Sequence, residues 1–425
     1  MPRYLILLLL PLLAFACKPK PTTASTVVEL REDTPFEYER YRPDNVQRPA
    51  EYTFARQRGV TPEHYIPDTT NERYLPMRYL HVNFHIMNSS DTLYPLYGQK
   101  AIDNIKEVLL YTNDLIGKTP ELWLTPEGME VSALPRRLHF NIPKKPGTNE
   151  HAIYEHYDDE LYGYLHNGRN RNRASRKVIE KYAVNRDSVL NIFIMGPPRD
   201  SLTSKTFRSP GTDGIYLGDA IKITGWLESN RKPWELRGIL AHEIGHALGL
   251  NHAWGNDGCD DTPPHKNNAW SQHGDNYGPG KTSNNLMDYS KDQQALTPCQ
   301  IGRMHAHMTN ITGRQRKWLL PRWCDYANTE SIRVTKDLNW EGERDFNSDI
   351  YVRRGYTLRI NNRVHLPERA AIHVDPGATL ILGPKAVIHN SCGGTWAGIR
   401  VGVAESGHRG EVVTDPAATL LNVAE

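Results

Sequence analysis

Residues 240–252 read LAHEIGHALGLNH, and four side chains within them have the types and spacing for metal-assisted hydrolysis. His242 and His246 stand four apart, so on a helix they share one face and can bind one metal ion. Glu243 lies beside them, where it can accept a proton from a water on that metal. Gly249 lets the chain turn sharply after the helix, and His252, three residues further on, can come round as a third ligand. Three neutral imidazoles without a thiolate suit zinc better than magnesium or calcium, and they leave one tetrahedral position open for water and substrate. By chance all the fixed positions coincide on the order of once in 10⁴ chains, so ordinary surface histidines are a poor account of them. A buried structural zinc would want a fourth protein ligand, and Glu243 argues against that use.

These residues need a frame. The stretch KPWELRGILAHEIGHALGL (232–250) has the length and period of a helix, and DGIYLGDAIKI (213–223) ahead of it reads as a short strand. MRYLHVNFHIM (77–87) alternates apolar and polar residues as a strand does, and RRLHFNI (136–142) and DSVLNIFIMG (187–196) are further strands. A second long helix spans 97–117, with Gly117 as its expected C-cap. The sum is an α+β domain, a twisted sheet crossed by two long helices. The basic run in 165–181 and the acidic run in 155–161 read as solvated surface.

The chain of 425 residues exceeds one small core, and its formal net charge of +2 makes no electrostatic case for nucleic acid. Residues 1–17, MPRYLILLLLPLLAFAC, have the anatomy of a signal peptide and are too short to span a membrane. Ending on Cys17, the segment resembles a bacterial lipoprotein signal, with Ala14 where Leu is more usual. The expectation is export, either anchored at the bacterial cell envelope through a lipid on Cys17 or secreted, in a compartment that permits disulfides. Residues 18–75 read as a tether and a pro-segment or N-terminal wrap, 76–326 as the catalytic domain and 327–425 as a β-rich repeat domain. Cys259, Cys299, Cys324 and Cys392 allow three pairings, among which the spacing does not choose.

In the repeat region, IYVRRGYTLRI (350–360) and IHVDPGATLIL (372–382) match position for position at an offset of 22. Ile350 matches Ile372, Val352 matches Val374, Gly355 matches Gly377 and Leu358 matches Leu380, while DPAATL (415–420) echoes DPGATL (375–380). This period predicts coils of a parallel β-helix, with a small β-sandwich as the competing fold. The last echo shows no cap, so the expectation is either an unassigned partner that covers the open end of the tail or a truncated chain.

The pattern H-E-x-x-H-x-x-G-x-x-H is similar to the metzincin signature, and NNLMDYS (284–290), 35 residues after His252 at Met287, resembles its Met-turn. Together with DGCDDTPPH (257–265) and LTPCQIGRM (296–304), the chain resembles the pappalysin family of metzincins from about residue 78 to 320. The resemblance implies an apolar base beneath the zinc at Met287, which without it would read as ordinary core, and a tyrosine near the metal at Tyr289. It also implies a calcium site at Asp257, Asp260, Asp261 and Thr262, although acidic loops are as often plain surface. Further implications are a Cys259–Cys299 disulfide and, by remainder, a Cys324–Cys392 bridge from catalytic domain to tail. No cysteine lies between residues 18 and 258, so latency through a zinc-bound thiol is not expected once Cys17 is processed.

The expected function is therefore an exported zinc endopeptidase acting on protein or peptide substrates, with Zn2+ held by His242, His246 and His252 and with Ca2+ as an accessory ion. Glu243 would be the general base, and Tyr289 would stabilise the oxyanion. The competing reading is a metzincin-fold adhesion or scaffold module at the cell surface that binds without cutting.

Overall fold

The computed structural model describes residues 37–41, 60–69, 75, 77–90, 96–164, 174–197, 213–227, 231–265, 277–327 and 331–424. The expected signal segment, Cys17 and most of the basic run lie outside these residues. The first strand, β1 (Glu37–Arg40), belongs with the far end of the chain. The α/β part is built around β2 (Arg78–Asn88), whose alternating Leu80, Val82, Phe84 and Ile86 are buried. One flank of β2 pairs in parallel with β3 (Leu138–Asn141) and then with β4 (Ile153–Tyr157). Its other flank carries β5 (Leu190–Ile194), then β7 (Ala220–Thr224), with β6 (Asp213–Tyr216) antiparallel at the edge. Where one strand is expected over 213–223 there is a hairpin, turned at Gly218 with φ 85°.

Helix α1 (Gly98–Gly117) buries Ile105, Val108, Leu109, Leu115 and Ile116, an i, i+3/i+4 stripe, against the core. It does not end on a glycine cap: Gly117 is its last helical residue, and Lys118 leaves in extended conformation while its N–H bonds Leu115 O. A short α2 (Lys177–Tyr182) covers the far side of the sheet through Val178 and Ile179. The stretch expected as one helix over 232–250 is a 3-10 turn, Pro233–Leu236, followed by α3 (Arg237–Ala247). Helix α4 (Pro298–Thr309) starts with a capping box, in which Thr297 Oγ1 accepts from Gln300 N and Gln300 Oε1 accepts from Thr297 N. Helix α5 (Arg314–Trp318) leads into β8 (Leu319–Leu320), antiparallel to β2.

Beyond residue 331 the chain is a three-sided parallel β-helix. The first coil carries β9 (Ile332–Val334), β10 (Leu338–Trp340) and β11 (Arg344–Asp345). The second has β12 (Ile350–Val352), β13 (Thr357–Ile360) and β14 (Arg363–His365), and the third β15 (Ile372–Val374), β16 (Thr379–Leu382) and β17 (Val387–His389). The fourth has β18 (Ile399–Val403), β19 (Glu411–Thr414) and β20 (Thr419–Leu420). The offset of 22 is the register itself: Ile350 pairs Ile372, Val352 pairs Val374 and Leu358 pairs Leu380, all with buried side chains. Gly355 and Gly377, at φ 85° and 76°, stack at one corner, Gly355 N donating to Gly377 O at 2.9 Å. The third echo is not a coil repeat. DPAATL leads into β20, which pairs β17, whereas DPGATL leads into β16, so the same turn sequence serves two different corners. At the open side of β18, β1 pairs antiparallel, Glu37 with Val403 through Arg40 with Arg400.

Residues 36–425 form one compact unit. Arg78 at the start of β2 is fully buried and bonds both Glu343 Oε2 and Asp345 Oδ2 at 2.8 Å, while Trp323 lies under its guanidinium. Glu343 also takes Arg363 Nη2 at 2.7 Å and His305 Nδ1 at 2.5 Å, so one carboxylate joins β2, α4 and the first two coils. Burial pushes the Glu343 carboxyl up, but Arg78, His305 and Arg363 together hold it below the usual range. Residues 60–69 thread the same seam. Glu343 N donates to Ile66 O, Arg344 pairs Asp68, and Tyr65 lies under Arg363. The described parts of 18–75 are thus packed along the β-helix and α4. The Cys324–Cys392 disulfide ties the two halves covalently.

Candidate active site

Helix α3 carries His242 and His246 on one face, as their spacing requires, and Gly249, at φ 92°, reverses the chain so that Leu250 N caps Gly245 O at 3.0 Å. His252 returns to the same point. His246 Nε2 lies 3.1 Å from His242 Nε2 and 3.1 Å from His252 Nε2. Each contact would pass for a hydrogen bond, but the other ring atoms decide otherwise. His242 Nδ1 faces Leu286 O at 2.7 Å and His246 Nδ1 faces Leu250 O at 2.8 Å, so in both rings the proton sits on Nδ1. Burial lowers the pKa of all three imidazoles, that of His242 to about 3 and of His252 to about 4. His242 and His246 therefore point lone pairs at one another, an arrangement that repels unless a cation lies between. Tetrahedral zinc with bonds of about 2.0–2.1 Å spaces its nitrogens by roughly 3.3–3.4 Å, close to what is seen. The three residues fit zinc.

The segment of the expected Met-turn is what holds this cluster. Leu286 O takes the His242 proton, and Met287 O takes Ala253 N at 3.1 Å, which fixes the strand bearing His252. Met287 is fully buried, and its sulfur occupies the space over Gly245, between the two helical histidines. Tyr289 is 45% exposed, with its ring 5.2 Å from that of His252 and 5.8 Å from that of His242, so it stands beside the three histidines. Glu243 is buried on α3, against Gly214 of the edge strand β6.

Sequence reasoning missed the supports. Met287 N bonds Asn285 Oδ1, Asn285 Nδ2 bonds Gln300 Oε1, and Gln300 Nε2 bonds Asp257 Oδ2, a buried amide relay from the turn to α4. Trp254 stacks on His252 at 4.0 Å and 15°, and its ring lies 4.6 Å from that of Tyr289. The links through Gln300 join residues far apart in sequence, whereas Asn285 and Trp254 each lie two residues from the group they support.

The Cys259–Cys299 disulfide is formed, with Asp261 Oδ2 accepting Cys299 N beside it at the start of α4. Asp257 Oδ1 accepts Cys259 N. Among the described residues, the groups of three potential ligands are His242–His246–His252 and Cys259–Asp261–Cys299, and the second spends both thiols on the disulfide. Asp257, Asp260 and Asp261 do not form such a group, and Asp260 is exposed.

Residues 174–309 match the sequence model of the Peptidase_M43 family, described as pregnancy-associated plasma protein-A. This segment is thus similar to the pappalysin metallopeptidases. Its matched range holds α3, the third histidine, the Met-turn and α4. Among solved structures, the chain is similar to mature mirolysin of Tannerella forsythia in complex with a cleaved peptide, at 18% identity and TM-score 0.38, over 56% of this chain and 94% of that one. A promirolysin variant of the same organism aligns at 17% identity and TM-score 0.39, over 60% of this chain and 86% of that one. No curated protein matches the sequence. Outside the matched range, the α/β part of the chain is joined to the β-helix by Glu343 and the Cys324–Cys392 bridge. Among the described residues no helix is long and apolar enough to cross a membrane.

Proposed function

We propose that the protein is an exported zinc endopeptidase, and the observation that carries this is the convergence of three Nε2 atoms whose helical members have their Nδ1 protons committed to carbonyls. His242, His246 and His252 would hold the zinc, which would supply Lewis-acid activation of water and of the scissile carbonyl. Glu243 takes the proton as water attacks and returns it to the leaving amine. The Tyr289 hydroxyl donates to the developing oxyanion. Among the described strands β6 ends the sheet next to Glu243, and an extended peptide would lie along that side.

Export rests on residues 1–17 and anchoring on Cys17. Calcium at Asp257, Asp260, Asp261 and Thr262 is the accessory part of the reading, and it would require Asp257 to exchange its bonds to Gln300 and Cys259. The test is zinc stoichiometry and cleavage of casein and gelatin by the chain without its signal, beside Glu243→Ala, with and without chelator and calcium. One equivalent of zinc, with cleavage abolished in the variant, supports the peptidase. Zinc bound equally by both proteins with no cleavage by either supports the adhesion module.

A further inference from the structure

Gly214 lies in β6 opposite Ile223 of β7, and its φ is outside the left-handed region, so nothing in its own conformation calls for glycine. Its surroundings do. A Cβ at this position would fall 2.5 Å from Glu243 Cγ, 2.8 Å from Oε1 and 2.9 Å from Cδ, and these are its three nearest atoms. Non-bonded carbons rest about 3.5–4.0 Å apart, so a side chain at 214 and the Glu243 carboxyl as it stands exclude each other by roughly 1 Å. The neighbouring backbone is held from both sides: β6 is bonded along β7, and Glu243 sits mid-helix between two histidines anchored to carbonyls. The atoms that a Cβ at 214 would press on all belong to the Glu243 side chain.

We propose that Gly214 is a positioning residue for Glu243: the missing side chain is the space in which the carboxylate stands. The edge strand thereby sets the base as well as the rim of the cleft, and any residue larger than glycine at 214 turns the carboxylate out of line. This rests on the reading of Glu243 as general base, and it adds a residue that helical spacing does not reveal.

The test is a double-mutant cycle between Gly214→Ala and Glu243→Ala, read twice. In activity, Gly214→Ala lowers kcat on the order of 10²-fold, as misplacement of a catalytic group by about 1 Å does, with KM and zinc stoichiometry unchanged. The double variant is then no slower than Glu243→Ala. In stability, Gly214→Ala lowers the unfolding midpoint of the otherwise native chain but not that of Glu243→Ala, because the clash has gone. Should Gly214→Ala fail to fold alone, recovery of folding in the double variant is the same result. Full kcat in Gly214→Ala, a raised KM at unchanged kcat, or equal loss of stability in both backgrounds would each overturn the proposal. If Glu243→Ala itself leaves cleavage untouched, the general-base reading falls and takes the catalytic meaning of Gly214 with it. The stability cycle then still reports whether the two residues share space, which separates that failure from failure of the contact.

Discussion

The sulfur of Met287 stands where a side chain on Gly245 would have to go, 2.4 Å from the position of its Cβ. Helix α3 can thus settle on the Met-turn only because the residue before His246 is glycine. Gly245→Ala should cost about 1–3 kcal/mol through overpacking, and Met287→Ala about 2–5 kcal/mol through a cavity. Met287→Leu, close in volume, should cost less than about 1.5 kcal/mol. Urea unfolding of the three variants checks the order. A Met287→Leu protein as unstable as Met287→Ala would mean that the sulfur, and not the volume, matters.

Beside that turn, His265 Nε2 bonds Asp288 Oδ1 at 2.9 Å, with both side chains largely buried. The carboxylate holds His265 above the ordinary imidazole range against the opposing pull of burial. A histidine raised on folding contributes stability that is fully present below its unfolded pKa of about 6.5 and is lost as pH rises through the folded value. His265→Gln should therefore cost roughly 1–2 kcal/mol at pH 6 and progressively less above neutrality. Denaturant titrations of both proteins across this range measure the difference, and a gap constant with pH would refute the assignment.

Glu343 accepts from Arg78, His305 and Arg363 at once, and Glu343→Gln leaves the two buried guanidiniums to share the one carboxylate of Asp345. Such a change costs about 3–5 kcal/mol. Because Glu343 links β2 and α4 to the coils, tryptophan fluorescence and far-ultraviolet circular dichroism should lose their native values at one shared, lowered midpoint. Two separated transitions would show that the halves fold independently. The carboxyls of Glu343 and Asp345 are both depressed despite burial, so their contribution is present above the unfolded carboxylate pKa of about 4 and drains away as pH falls toward the folded values.

The Cys259–Cys299 bridge closes a separation of 40 residues around the Met-turn, and the loop begins shortly after the third histidine. Loop-closure entropy makes it worth about 3–4 kcal/mol. Cys259→Ser/Cys299→Ser should lower the melting temperature and weaken zinc retention against a chelator. Unchanged zinc loss would place the bridge outside the support of the metal centre.

The His-Glu-x-x-His spacing and the Ile-x-Val offset of 22 were legible because both are local periods, of a helix turn and of a coil, repeated in neighbouring residues. What lay hidden depends on pairs far apart in sequence. Gly214 and Glu243 meet across a sheet edge and a helix, and Asp257, Gln300 and Asn285 meet through a turn. A glycine also has several uses. Gly218 turns a hairpin that reads as one strand, Gly117 ends a helix without capping it, and Gly214 simply yields space. DPAATL misleads for a related reason: the turn chemistry of a corner says nothing of which corner it is.

β1 pairs with β18 across more than 350 residues of chain. A ribosome releases residues 37–40 long before their described strand partner, β18. The strand must wait, unpaired, through the synthesis of everything between, and its docking belongs to the closing step of folding. Once docked antiparallel, it covers the side of β18 on which a further parallel coil would stack, and so ends the parallel stack of that face at β18.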